Sequence, residues 1–338
     1  MDSTYLIVML CAATFSFALS ALLGKWLIPW LRRLKFGQTI REEGPQWHQK
    51  KQGTPTMGGL MFIAAFIVVL AVALFTLWRM DVGRLFAIPY RTVRLLAGAG
   101  LALGCGAIGF VDDYIKVVKK RNLGLTSMQK LLLQLLLSAA YAVLLYSYGS
   151  GSFYIPFVGL VNWGVWFIPF CIFVVVAMTN ATNLTDGVDG LCGGTAFVAA
   201  AAMILMSAIV VDYGSVLYAT VLAGSLGGFL VWNIHPAKVF MGDTGSLFIG
   251  GALTALAFGI EQPFLLVPVG ILYIAENLSV ILQVGYFKLT HGKRLFKMSP
   301  LHHHFEMCGW SEDRIVLTFT GVTLVGCVAA ILLLVYGR

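Results

Sequence analysis

Charge is scarce in this chain. Asp, Glu, Lys and Arg make up 11% of its 338 residues, against roughly 25% in a soluble globular domain. That scarcity excludes an ordinary water-soluble fold. With 59% hydrophobic residues, the chain reads as one integral membrane domain over 1–338. Cysteines at disulfide or zinc spacing are also lacking. Cys11, Cys105, Cys171, Cys192, Cys308 and Cys327 are scattered, mostly inside apolar runs, where they serve as small hydrophobes. Met1-Asp2 lacks the positive flank of a secretory signal, and no small-residue cleavage site follows. Acidic residues well inside apolar runs are nearly absent, Glu276 being the exception. A transporter needs polar groups along a path through the membrane, so this absence argues against one. The net charge of +8 lies in loops between apolar runs, which points away from nucleic acid.

What is present is apolar length. A spanning helix needs about 20 apolar residues, and ten segments meet that measure: 4–24, 57–78, 94–112, 130–148, 163–181, 191–211, 214–232, 244–260, 264–287 and 315–336. The predicted fold is an all-α bundle of ten transmembrane helices. Gly100/Gly104 and Gly224/Gly228 give the small-xxx-small spacing of close helix approach. With both termini outside, 18 of the 23 Lys and Arg residues fall in inner loops, as the positive-inside rule requires. The functional groups then collect on the cytoplasmic face, since Asp112, Asp113, Asp186, Asp189, Asp243 and all six histidines sit at inner ends or loops.

Five stretches carry chemistry. In Gly109-Phe-Val-Asp112-Asp113-Tyr-Ile-Lys116, a helix would gather both carboxylates and the ammonium within one turn; a charge-stapled helix end is the plainer reading. Asn183, Asp186 and Asp189 repeat every three residues beside glycines, and oxygen ligands of this kind suit a hard cation such as Mg2+. A polar turn is the alternative there. In Asn233-Ile-His-Pro-Ala-Lys-Val-Phe240-Met-Gly-Asp243, Asp243 could cap a helix, while Phe240 could stack on a base. His302, His303 and His304 cannot easily share one metal ion, and hydrogen bonding to a phosphate or sugar fits them better than zinc. The basic, Gly-rich stretch holding Lys50, Lys51 and Thr56 suits phosphate contact, or is simply a solvated inner loop. Several carboxylates, several lysines and a divalent cation together imply phosphoryl transfer. The membrane face adds that one partner is lipid-borne and the other soluble.

Asp112-Asp113-x-x-Lys116, Asn183-x-x-Asp186-Gly-x-Asp189-Gly, Asn233-x-x-Pro-Ala-Lys-Val-Phe-Met-Gly-Asp243-x-Gly-Ser and Pro300-Leu-His-His-His-Phe-Glu resemble the signatures of the polyprenyl-phosphate N-acetylhexosamine-1-phosphate transferase superfamily. The resemblance runs from roughly Trp47 to Glu306. Within the superfamily, the histidine triplet and Gly-Thr-Pro-Thr-Met-Gly-Gly resemble the peptidoglycan branch. That branch implies attack of undecaprenyl phosphate on UDP-N-acetylmuramoyl-pentapeptide, giving lipid I and UMP at the bacterial cytoplasmic membrane. By the same resemblance, Asp186 and Asp243 contact Mg2+, and Asp112 is the base toward the lipid phosphate, with Asp113 and Lys116 beside it. Asn183, Asn233 and Asp189 line the nucleotide site, and Phe240 stacks on uracil. His302, His303, His304, Lys51 and Thr56 meet phosphate or the substrate edge. A homodimer embedded among membrane lipids is also implied. Asp112 or Asp243 acting as covalent nucleophile, a sister enzyme using UDP-N-acetylglucosamine, and a cation-coupled transporter are the other readings. A polyprenyl slot is expected near the ninth segment, with a bend between Glu276 and Lys288.

Overall fold

The computed structural model describes residues 3–34, 53–80, 89–118 and 124–337. These form twelve α-helices and one small hairpin. In chain order they are α1 (Ser3–Arg33), α2 (Gly59–Arg79), α3 (Pro89–Val118), α4 (Ser127–Ser147), β1 (Ser152–Ile155), β2 (Gly159–Asn162), α5 (Phe167–Thr185) and α6 (Leu191–Ile209). After them come α7 (Tyr213–Asn233), α8 (Gly242–Gly259), α9 (Leu266–Val269), α10 (Ile271–Leu289), α11 (Leu301–Glu306) and α12 (Glu312–Tyr336).

Eight helices among the described residues, α1 to α7 and α12, are long and apolar enough to cross a membrane. A ninth crossing is made if α9 and α10, bent by 78° at their junction, count as one span. The remaining predicted segment is α8. All its residues from Thr244 to Gly259 are buried, so it is a central post held by α2, α3, α5 and α6. Its glycines, alanines and threonines follow from that position, because a helix enclosed on every side needs small residues more than an oily face. Elsewhere, large apolar side chains face outward, including Leu10 and Phe15 on α1, Ile281 and Leu282 on α10, and Leu317 and Val325 on α12. A belt of this extent would be an aggregation liability in water and is ordinary against lipid tails.

Two features depart from the sequence-based expectation. The bundle is not purely helical. β1 and β2 pair antiparallel in the register Ser152↔Asn162 to Ile155↔Gly159, and Phe153 is buried beneath them against Trp163, Phe170 and Phe264. The bend in the ninth segment stands at Gly270, two residues beyond Pro268, which lies before Glu276 and not after it. Proline removes a backbone donor and glycine leaves the backbone unrestrained, so the break falls where both occur.

Polar residues gather at opposite ends of the bundle. At one end, Arg94 at the start of α3 pairs with Glu261 (Nη2–Oε1 2.6 Å) and donates to Ser150 Oγ at 2.9 Å. The hairpin belongs to this end too, since Tyr154 N donates to the Glu261 carbonyl and Phe157 N to that of Gly337. The aspartates lie at the other end of α3.

Candidate active site

The site is assembled by the packing of α3 on α8. Gly98, Ala102, Gly106 and Gly109 face that helix: Gly98 meets Ala255, Ala102 meets Gly251, and Gly106 meets Phe248. A β-carbon at Gly109 would overlap the Asp243 backbone outright. This contact brings the end of α3 beside the first turn of α8. Helix α3 runs on to Val118, so Asp112, Asp113 and Lys116 do share one turn, and Asp112 and Asp113 are buried.

Lys116 Nζ stands 2.6 Å from Asp112 Oδ2, 3.0 Å from Asp243 Oδ2 and 3.8 Å from Asp113 Oδ1. Lys130, in the first turn of α4, approaches the same group, at 2.6 Å from Asp243 Oδ2 and 3.5 Å from Asp112 Oδ2. Asp112 Oδ1 accepts from Leu125 N at 2.8 Å. Asp113 Oδ2 accepts from both the backbone N and the hydroxyl of Thr244, at 2.9 and 2.7 Å. Asp243 does not cap α8, where Met241 is the N-cap. It lies one residue inside the helix, where the positive end of the helix dipole favours a carboxylate, and its Oδ1 accepts from Asn183 Nδ2 at 2.8 Å. Oxygens of Asp112, Asp113 and Asp243 lie within 4.8 Å of one another. Such a set of hard oxygen donors fits a divalent cation of the magnesium type.

The 180–190 stretch divides between two places. Asn183 ends α5 beside Asp243 and also donates to Ser246 Oγ at 2.9 Å. Asp186 caps that helix. Its half-buried carboxyl is pushed well above the usual carboxylate range, by burial first and then by the charges of Asp243, Asp113 and Asp189. Asp186 is not among the three carboxylates within reach of one ion. Asp189 turns toward the 233–238 loop, where Ala237 N donates to its Oδ2 at 2.9 Å and His235 Nδ1 stands 3.9 Å away. Asn233 tightens the same loop: its Oδ1 accepts from Gly190 N and its Nδ2 donates to the Val239 carbonyl.

The remaining predicted residues reach the site from further off. Phe240 is half-buried, and its backbone is laced to the 55–58 segment, Phe240 N donating to Pro55 O and Gly58 N to Phe240 O. Thr56 is thereby carried to Gly242, where a β-carbon would lie 2.7 Å from Thr56 Oγ1 and 2.5 Å from Asp113 Oδ2. His302, at the start of α11, is seated with its Nε2 against Gly187. His303 Nδ1 pairs with Glu306 Oε2 at 2.6 Å, and His304 Nδ1 accepts from Lys297 N. Lys51 lies outside the described residues, as do Lys50 and His48. Lys130 is a site residue that no sequence motif marks; its one sign there is a basic residue opening an apolar segment.

The model of glycosyl transferase family 4 matches residues 95–260, and a phospho-N-acetylmuramoyl-pentapeptide-transferase signature matches residues 51–63. Fold and site together define an integral-membrane phosphoglycosyl transferase. Phospho-N-acetylmuramoyl-pentapeptide-transferase of Halalkalibacterium halodurans is 46% identical over 97% of this chain and 98% of its own length. That of Heliobacterium modesticaldum is 47% identical over 94% of each chain, and that of Bacillus subtilis 47% identical over 96% and 97%. The chain belongs to the phospho-N-acetylmuramoyl-pentapeptide-transferase family.

Proposed function

We propose that this protein transfers phospho-N-acetylmuramoyl-pentapeptide from its UDP derivative to undecaprenyl phosphate, releasing UMP and leaving lipid I in the membrane. The observation that carries this is the Asp112–Asp113–Asp243 cluster with its two lysines, in a chain 46% identical to a relative of that name over nearly its whole length. The reaction joins a lipid phosphate oxygen to the β-phosphorus and breaks that phosphorus's bond to the UMP oxygen. Both substrates are anions, so the main task is to position them and neutralise their charge.

Asp243 would hold Mg2+, with Asp112 and Asp113 the carboxylates within reach of the same ion and Asp186 outside that group, and the bound ion supplies charge neutralisation on the phosphoryl oxygens. Lys116 and Lys130 already stand on those carboxylates and turn to the phosphates when substrates arrive. Asp112 lies between both ammoniums and orients them. It also accepts the proton of a lipid phosphate that enters protonated, a smaller contribution because that phosphate is mostly ionised at neutral pH. Asp113, fixed by Thr244, steadies the first turn of α8. Asn183, Asp189, Asn233 and Phe240 receive the nucleotide, with Thr56, Lys51 and the three histidines at the sugar and phosphate edge. The lipid tail enters beside the bent α9–α10 span. The whole forms one domain of ten spans in the bacterial cytoplasmic membrane, α8 counted among them, with both termini outside and the aspartates facing the cytoplasm.

The test is UMP release by purified protein with undecaprenyl phosphate and either UDP-N-acetylmuramoyl-pentapeptide or UDP-N-acetylglucosamine, with and without Mg2+. Release from the first donor alone, abolished by chelation and restored by Mg2+, is the expected result. Release from the second donor, or turnover in excess chelator, overturns the donor or the cation.

A further inference from the structure

Glu276 is the one acidic residue well inside an apolar run, and the cluster at the end of α3 makes no use of it. The carboxylate is fully buried on α10, an expensive place for charge unless it has a task. Its two oxygens both face one residue. Oε1 accepts from the His302 backbone N at 3.2 Å, and Oε2 stands 3.2 Å from His302 Nδ1. His302 is itself 1% exposed. The first contact holds the opening turn of α11, whose N-cap, Pro300, offers no side-chain cap. The second sets the carboxylate beside Nδ1 at ion-pair distance, without the alignment of a hydrogen bond.

Neither ring nitrogen has a hydrogen-bond partner among the described residues, although both are buried. The second nitrogen is Nε2. It points at Gly187, where any β-carbon would overlap it. Gly187 lies between Asp186 and Asp189, so the ring edge meets the site through the one position in that turn that leaves it room. The neighbouring His303 has a closer contact, its Nδ1 hydrogen-bonded to Glu306 Oε2 at 2.6 Å and its ring centroid 4.2 Å from that of His302. Two adjacent imidazoles thus each have a carboxylate beside Nδ1.

We infer that Glu276 is a positioning residue. By holding the backbone N of His302 and setting a carboxylate beside Nδ1, it places the ring so that Nε2 is presented to the bound nucleotide-sugar at the Asp186–Asp189 turn. The inference rests on the proposed placing of His302 at the substrate edge. A carboxylate that orients an imidazole acts only through that imidazole, so the two residues should be coupled rather than additive.

The experiment is a double-mutant cycle on the full-length protein, read as kcat/KM for UDP-N-acetylmuramoyl-pentapeptide at saturating undecaprenyl phosphate. Thermal unfolding in detergent is followed in parallel. Glu276→Gln keeps an acceptor for the backbone N but loses the charge on Nδ1. His302→Asn keeps a polar atom toward Glu276 but has no ε-nitrogen. Expected is a fall of about tenfold or more for each single variant, with Glu276→Gln costing less than about twofold in the His302→Asn background. Equal factors in both backgrounds would mean Glu276 serves stability alone and overturns the inference. Wild-type kcat/KM in Glu276→Gln overturns it as well. If His302→Asn retains full activity, the placing of His302 falls, and the positioning role falls with it. Should Glu276→Gln fail to fold, Gly187→Ala reaches the ring from the opposite side without touching Glu276. It should lower kcat/KM to about the His302→Asn level and add nothing in that background; independent losses overturn the inference.

Discussion

Lys130 decides the charge balance of the cluster. Three carboxylates face Lys116 and Lys130, so with one lysine removed the cluster carries two uncompensated negative charges instead of one. Lys130→Met should therefore lower kcat by about tenfold to a hundredfold, because a lost electrostatic donor at a phosphoryl site acts on the charged transition state. Affinity for divalent cation should rise in the same variant, read by the Mg2+ concentration giving half-maximal UMP release. Unchanged Mg2+ dependence would show that Lys130 does not compete for those oxygens. Asp243→Asn attacks the same balance from the other side. It should lose at least about a hundredfold in turnover, while Asp112 still holds Lys116 and the thermal midpoint moves little. The aspartates were legible because a carboxylate at the end of an apolar run is rare enough to be noticed. Lys130 was not, since a basic residue at an inner helix end satisfies the positive-inside rule and needs no further reason. The Glu276–His302 contact spans 26 positions, and no local pattern reports it.

At the scale of elements, the site depends on how closely α3 and α8 approach. The run Leu95 to Phe110 carries two interleaved sets of small residues. Small-xxx-small spacing singles out Gly100/Gly104, yet α8 meets Gly98, Ala102, Gly106 and Gly109. Gly104 abuts Leu137 of α4, and Gly100 has nothing within 4 Å. Small-xxx-small spacing identifies a face that can approach, and only the partner helix decides which face does. By contrast, Gly224 and Gly228 both press on α1, against Ser16 and Phe17, as their spacing suggested. Gly109→Ala must push α3 away from the Asp243 backbone. It should cost about 1–3 kcal/mol in stability, as overpacking does, and lower turnover at temperatures where the variant remains folded. Gly100→Ala is its control and should change stability by no more than about 1 kcal/mol, in the favourable direction, since alanine is the better helix former. Thermal unfolding of the pair in one detergent checks both. Equal losses would place the α3–α8 contact elsewhere.

At the scale of the whole molecule, hydropathy located every long helix among the described residues, with bounds that differ by up to about two and a half turns at the end of α1, because helices continue past the apolar core on polar residues such as Arg32 and Lys116. The hairpin escaped, since two four-residue strands between spans carry too little periodicity to stand out. That hairpin offers a way to test sidedness. Val158, at its tip, is 69% exposed and belongs to the Arg94–Glu261 end. Lys238 is exposed on the loop that leads to Asp243, at the opposite end of the bundle. The excess of Lys and Arg in the loops on the aspartate side supports the proposed cytoplasmic placing of that end, where a nucleotide-sugar would be met. In a chain with Cys11 and Cys308 replaced by serine, Val158→Cys should react with a membrane-impermeant maleimide in intact cells. Lys238→Cys should react only after the membrane is opened. The reverse pattern would put the carboxylate cluster outside, away from any soluble nucleotide donor, and the proposed reaction could not run in that orientation.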